Sequence, residues 1–101
     1  MNLDSLGYYD NKQFRRLFGI YAKEQRMARG ISQRTLSERV KVNPSAIASI
    51  ENGTRKLRQE LLSALVDALS LEDSKIIDIS KVTEAQYLHE LYGIPDAENA
   101  S

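Results

Sequence analysis

The chain has 101 residues, 42% of them hydrophobic, which suits one domain with a modest core and excludes a disordered segment. It has no cysteine, which excludes a disulfide framework and cysteine-based zinc sites and fits a reducing cytoplasm. Its fourteen basic and fourteen acidic residues are segregated, twelve against five in residues 1–58 and two against nine in residues 59–101, so one half suits an anionic polymer.

In chain order, residues 1–10 (MNLDSLGYYD) form an N-terminal segment with no clear period and without the basic-then-apolar pattern of a signal peptide. No apolar run approaches the ~20 residues of a membrane span, so no membrane partner is expected. Asp10 is placed to cap a first helix, with Gln13 at the reciprocal capping position. Phe14, Leu17, Phe18, Tyr21 and Ala22 recur at three- and four-residue steps, and Gly30 stops the helix after Arg29. The aromatic residues of this run read as core, not as a stacking platform. Ser32 caps a second helix over residues 33–40, in which Leu36 and Val40 share a face.

Asn43 precedes a proline and must stay extended. Pro44 then fits a first helical position, capped by the Asn43 side chain. A third helix over residues 44–52 turns Ile47 and Ile50 inward, and Gly53 supplies the positive φ that closes it. Residues 54–58, TRKLR, are a basic connection. A fourth helix over residues 59–69 carries Leu61, Leu62, Leu65, Val66 and Leu69, without a capping side chain at its start. A short fifth helix over residues 73–79 is expected to bury Ile76, Ile77 and Ile79. A sixth begins at the Thr83 and Gln86 capping box, is followed by Gly93, and is blocked from continuing by Pro95. The expected organisation is all-α: an N-terminal segment 1–10, a five-helix domain 11–79, an added C-terminal helix 80–94 and a polar tail 95–101.

Residues 32–53 carry the function. Two short amphipathic helices joined by a short break form a helix-turn-helix, whose main physical use is to set one helix in the major groove of duplex DNA. On this reading Ser45 and Ser49, four apart, share a face near base edges. Pro44 and Ala46 offer contacts to a thymine methyl. Arg55, Lys56 and Arg58 lie beside the motif and suit phosphates.

Residues 26–71 resemble the Cro/lambda-repressor type of helix-turn-helix, on Arg26, Gly30, Ile31, Ser32, Gln33, Leu36, Val42, Ile47, Ile50, Glu51, Asn52, Gly53, Glu60, Leu62, Leu65, Ala68 and Leu69. The resemblance implies a lambda-repressor-like five-helix fold and a bacterial or phage transcriptional regulator. It implies that Gln33 bonds a phosphate while touching recognition-helix groups, and that Asn43, Ser45 and Ser49 face bases. It puts Asn52, Thr54, Arg55 and Lys56 against phosphates, and makes Arg26 and Glu51 an ion pair joining the first helix to the recognition helix. Four positions depart from the family pattern. Lys41 and Ser70 stand where glycine is common, Leu57 where proline is common, and Pro44 where members often carry a long base-contacting side chain. Few hydrogen bonds to bases are therefore expected from the third helix.

Val82, Ala85, Leu88, Leu91 and Tyr92 decorate a helix beyond the five-helix core and are read as a two-fold dimer interface. The expected function is a sequence-specific regulator, a cytoplasmic repressor that holds a palindromic operator as a homodimer. The alternative is an antitoxin that also represses its operon, with a toxin or an antirepressor as protein partner. A third reading is an interaction module without DNA binding. No catalytic, metal or cofactor site is expected: His89 is the single histidine, and no phosphate loop or nucleophile–base pair stands out.

Overall fold

The protein was analysed as a computed structural model, which describes the backbone of residues 12–92 and the side chains of residues 12–83. The N-terminal segment 1–10, its Asp10 cap and the tail 95–101 lie outside the described residues. Five helices follow one another: α1 (Lys12–Ala28), α2 (Gln33–Val40), α3 (Pro44–Glu51), α4 (Gln59–Leu69) and α5 (Asp73–Tyr92), with no strand among the described residues.

Four of the five helices stop in the same way. A residue one or two positions past the helix takes positive φ, and the next N–H reaches back five residues to a carbonyl. Gly30 (φ 67°) closes α1, with Ile31 N–H donating to the Arg26 carbonyl at 3.3 Å. Lys41 (φ 60°) closes α2, with Val42 N–H donating to Ser37 at 3.0 Å. Gly53 (φ 79°) closes α3, with Thr54 N–H donating to Ser49 at 3.0 Å. Ser70 (φ 50°) closes α4, with Leu71 N–H donating to Val66 at 3.0 Å. The two non-glycine residues pay a steric cost for this conformation, of order 1 kcal/mol each.

The starts are less uniform. Ser32 Oγ accepts the Thr35 N–H at 3.0 Å and caps α2. Asn43 is extended (φ −72°, ψ 150°) and its carbonyl accepts the Ala46 N–H at 2.9 Å, but its side chain makes no capping bond. The expected side-chain cap on α3 is thus absent: Pro44 has no N–H to cap and already fixes the first turn. At α5 a distant side chain helps. Tyr21 Oη accepts the Glu72 N–H at 3.1 Å, tying α1 to the start of α5.

One apolar cluster joins all five helices. Phe14, Phe18 and Ala22 of α1 pack with Leu36 and Val40, Ile47 and Ile50, Leu62, Leu65 and Leu69, and Ile76. The Phe14 and Phe18 rings lie parallel with centroids 6.0 Å apart. Leu57, at the position where proline is common, is buried in this cluster. Ile77, expected inside, is exposed; Ile76 alone of the pair fills the core.

The expected break between a fifth and a sixth helix is also absent: α5 runs unbroken from Asp73 to Tyr92. Thr83 is not a cap. It is 1% exposed, and its hydroxyl donates back to the Ile79 carbonyl at 2.9 Å, as a helix-interior threonine does. No glycine or proline stands between Ile79 and Thr83 to stop the helix. Among the described residues no helix is long and apolar enough to cross a membrane, and no group of side chains could hold a metal ion.

Candidate nucleic-acid interface

The site is built on α3, and its orientation is set from behind by α1. The two helices meet at Gly19. A Cβ there would lie 2.7 Å from the Glu51 carbonyl oxygen and closer still to that of Ile50, so only glycine allows the approach. This residue escaped the sequence reading. A glycine inside an apolar helical run has no local cause, and the only signal was its cost in helix propensity.

A polar network fastens the same crossing. Arg26 Nε donates to Glu51 Oε2 at 2.6 Å, and Arg26 Nη2 to Glu51 Oε1 at 3.1 Å. Arg26 Nη1 donates to the Ile31 carbonyl at 2.8 Å, and Gln33 Nε2 donates to Glu51 Oε1 at 3.0 Å. The Arg26 and Glu51 side chains are only 11% and 4% exposed. One buried carboxylate therefore gathers donors from α1 and α2 and holds the C-terminal end of α3. A two-pronged guanidinium–carboxylate pair fixes angle as well as distance.

The outward face of α3 follows from its inward one. Ala46, Ile47, Ile50 and Glu51 are buried, which leaves Pro44 and Ser45 exposed and Ala48 and Ser49 half-buried. Ala46, read from sequence as a thymine-methyl contact, is 5% exposed and faces the core. Ala48, three residues after Ser45, occupies the outer stripe instead. The three-residue step was the signal available for it. Asn43 is exposed at the leading end of this stripe. Ser49 Oγ donates to the Ser45 carbonyl at 3.0 Å, so its proton is engaged and its lone pairs remain to accept.

At the trailing end Asn52 Oδ1 accepts from Thr54 N–H at 3.2 Å and from Thr54 Oγ1 at 2.7 Å. Thr54 N–H and Arg55 N–H both donate to the Ser49 carbonyl, at 3.0 and 3.3 Å. The loop from Asn52 to Lys56 is thus locked onto the last turn of α3. Asn52, Thr54, Arg55, Lys56 and Arg58 are all exposed. Arg55, Lys56 and Arg58 also rim a groove of about 480 Å³ with Val40, Val42, Leu61 and Ala64 in its lining. Gln33 lies half-buried at the start of α2, on the far side of Glu51. Of the residues read as a dimer face, Val82 is 48% exposed, while the side chains of Ala85, Leu88, Leu91 and Tyr92 lie outside the described residues.

Comparison with known proteins agrees with this arrangement. The family model described as Helix-turn-helix matches residues 23–76, just over half of the chain. Among solved structures, the clp gene regulator ClgR from Corynebacterium glutamicum has a similar fold. The TM-score is 0.61 at 23% identity, over 76% of this chain and 83% of that one. No curated protein sequence matches the chain. With the family match spanning the end of α1, all of α2, α3 and α4, and the start of α5, the chain belongs to the Cro/C1-type helix-turn-helix family of DNA-binding transcriptional regulators.

Proposed function

We propose that the chain is a repressor that occupies a palindromic operator as a two-fold dimer, with α3 in the major groove. The observation that carries this reading is the outer stripe of α3, small and uncharged, bounded by exposed basic residues of the following loop. Pro44, Ser45, Ala48 and Ser49 let the helix approach base edges closely, and Asn43 brings an amide not spent on capping. An asparagine amide matches the N6 and N7 edge of adenine, and the proline ring suits a thymine methyl. On one side Arg55, Lys56 and Arg58 neutralise phosphates, and Asn52 and Thr54 hydrogen-bond them. On the other, Gln33 and the first turn of α2 offer unpaired N–H groups and a positive helix end to a phosphate.

The dimer reading rests on Val82 and on the apolar positions Ala85, Leu88, Leu91 and Tyr92 further along α5. A two-fold pair sets its recognition helices about 34 Å apart, one turn of duplex, which demands a palindrome. Occupancy of such a site excludes RNA polymerase. Selection of bound duplexes from a random pool tests this directly. The expected product is a palindrome with A·T pairs near the half-site centre; recovery of single, unpaired half-sites rejects the dimer.

A further inference from the structure

We propose that the DNA-backbone contact surface extends beyond the helix-turn-helix onto α1, where Arg16, with Lys12 one turn further out, binds a phosphate next to those held by the loop after α3. This rests on the reading that the loop from Asn52 to Lys56 follows a DNA strand.

Three observations carry it. First, α1 begins at Lys12, eleven positions before the segment matched by the family model. The added turns are basic. Second, α1 meets α3 at Gly19, and residues three before and four after it share that side of the helix. Those residues are Arg16 and Lys23, both exposed. Third, Arg16 is pressed against the loop itself. A Cβ on Gly53 would lie 2.8 Å from Arg16 Cα and 3.2 Å from its backbone nitrogen. The Arg16 backbone is therefore in van der Waals contact with the residue between Asn52 and Thr54.

That contact gives the glycine a second reason. Gly53 is needed for positive φ, and it is also needed because α1 occupies the space where a side chain would stand. The outcome is a basic ridge that crosses from Lys12 and Arg16 on one helix to Arg55 on the loop. The Arg16 guanidinium is weakly held. Its Nε donates to Gln13 Oε1 at 3.3 Å, an exposed bond that a phosphate readily displaces. A long arginine that starts beside the loop backbone reaches the neighbouring phosphate of the same strand.

The test uses the full chain and a mixed-sequence duplex, because phosphate contacts do not depend on sequence. Binding is followed by fluorescence anisotropy across a salt series. R16Q should reduce the slope of log affinity against log salt by about 0.9 per bound subunit and weaken binding severalfold. R16K should restore most of the slope, and R55Q should lower it by a similar step. A slope for R16Q equal to that of the unaltered chain, with R55Q lowered, overturns the proposal and leaves the function intact. Slopes unmoved by either variant overturn the function as well. A second measurement needs no variant: phenylglyoxal modification of the unaltered chain, read by mass spectrometry. Duplex should slow modification of Arg16 and Arg55 together; protection of Arg55 alone contradicts the proposal.

Discussion

The two halves of the molecule are built on different physics. Up to Arg58, twelve basic residues stand against five acidic ones, and the short helices α2 and α3 are held by specific devices. A glycine crossing, a buried Arg26–Glu51–Gln33 network and three positive-φ closures set where α3 lies. From Gln59 onward two basic residues stand against nine acidic ones, and the helices are held by apolar burial of Leu62, Leu65, Leu69 and Ile76. The front half adds positioning devices to its share of the apolar core, and the back half relies on that core alone. Recognition needs a position held to about 0.5 Å and an angle held to about 10–20°, which bulk burial does not supply.

That contrast can be broken most severely at Gly19. Gly19→Val forces a side chain into the Ile50 and Glu51 carbonyls. It should cost at least ~3 kcal/mol and abolish binding, measured by urea unfolding and anisotropy. Leu65→Ala, in the other half, should lose about 3 kcal/mol as a core truncation yet leave the affinity of the folded fraction unchanged. Equal effects of both on affinity would erase the distinction between the halves.

The buried pair comes next. Glu51→Ala strands the Arg26 guanidinium and should cost about 3 kcal/mol. The double change with Arg26→Met should cost less than the two single changes together, and additivity in that cycle would reject coupling. The smallest effect is a gain. Lys41→Gly and Ser70→Gly each relieve a left-handed non-glycine residue and should raise stability by about 0.5 kcal/mol, seen as a higher unfolding midpoint.

Much of the frame was legible in the sequence because its punctuation is local. Gly30, Ser32, Asn43 before Pro44, and Gly53 mark where α1, α2 and α3 stop and start, and apolar steps of three and four mark their inner faces. Lys41 and Ser70 were visible as departures from a glycine pattern, and both take the conformation that glycine takes. What was not legible depends on neighbours distant in sequence. Thr83 and Gln86 have the spacing of a capping box, but burial of Thr83 and its bond to Ile79 decide for a continuous α5. Ala46 and Ala48 are the same residue type two positions apart, and only the docking of α3 on the core decides which faces outward. Gly19 is unremarkable until α3 lies across it.

Within the proposed interface, Ser49 is assigned to base reading and Arg55 to a phosphate. Ser49→Ala should shift the selected sequence with little change in overall affinity, whereas Arg55→Ala should weaken binding equally on every duplex. An unchanged selected site for Ser49→Ala would remove that residue from base reading.

The central claim is that this face binds duplex DNA chiefly through phosphates. The most direct measurement is the affinity of the full chain for its selected duplex across a salt series. If the proposed dimer makes roughly four to eight phosphate contacts, log affinity should fall with log salt at a slope of about −4 to −7. A flat salt response would contradict the account.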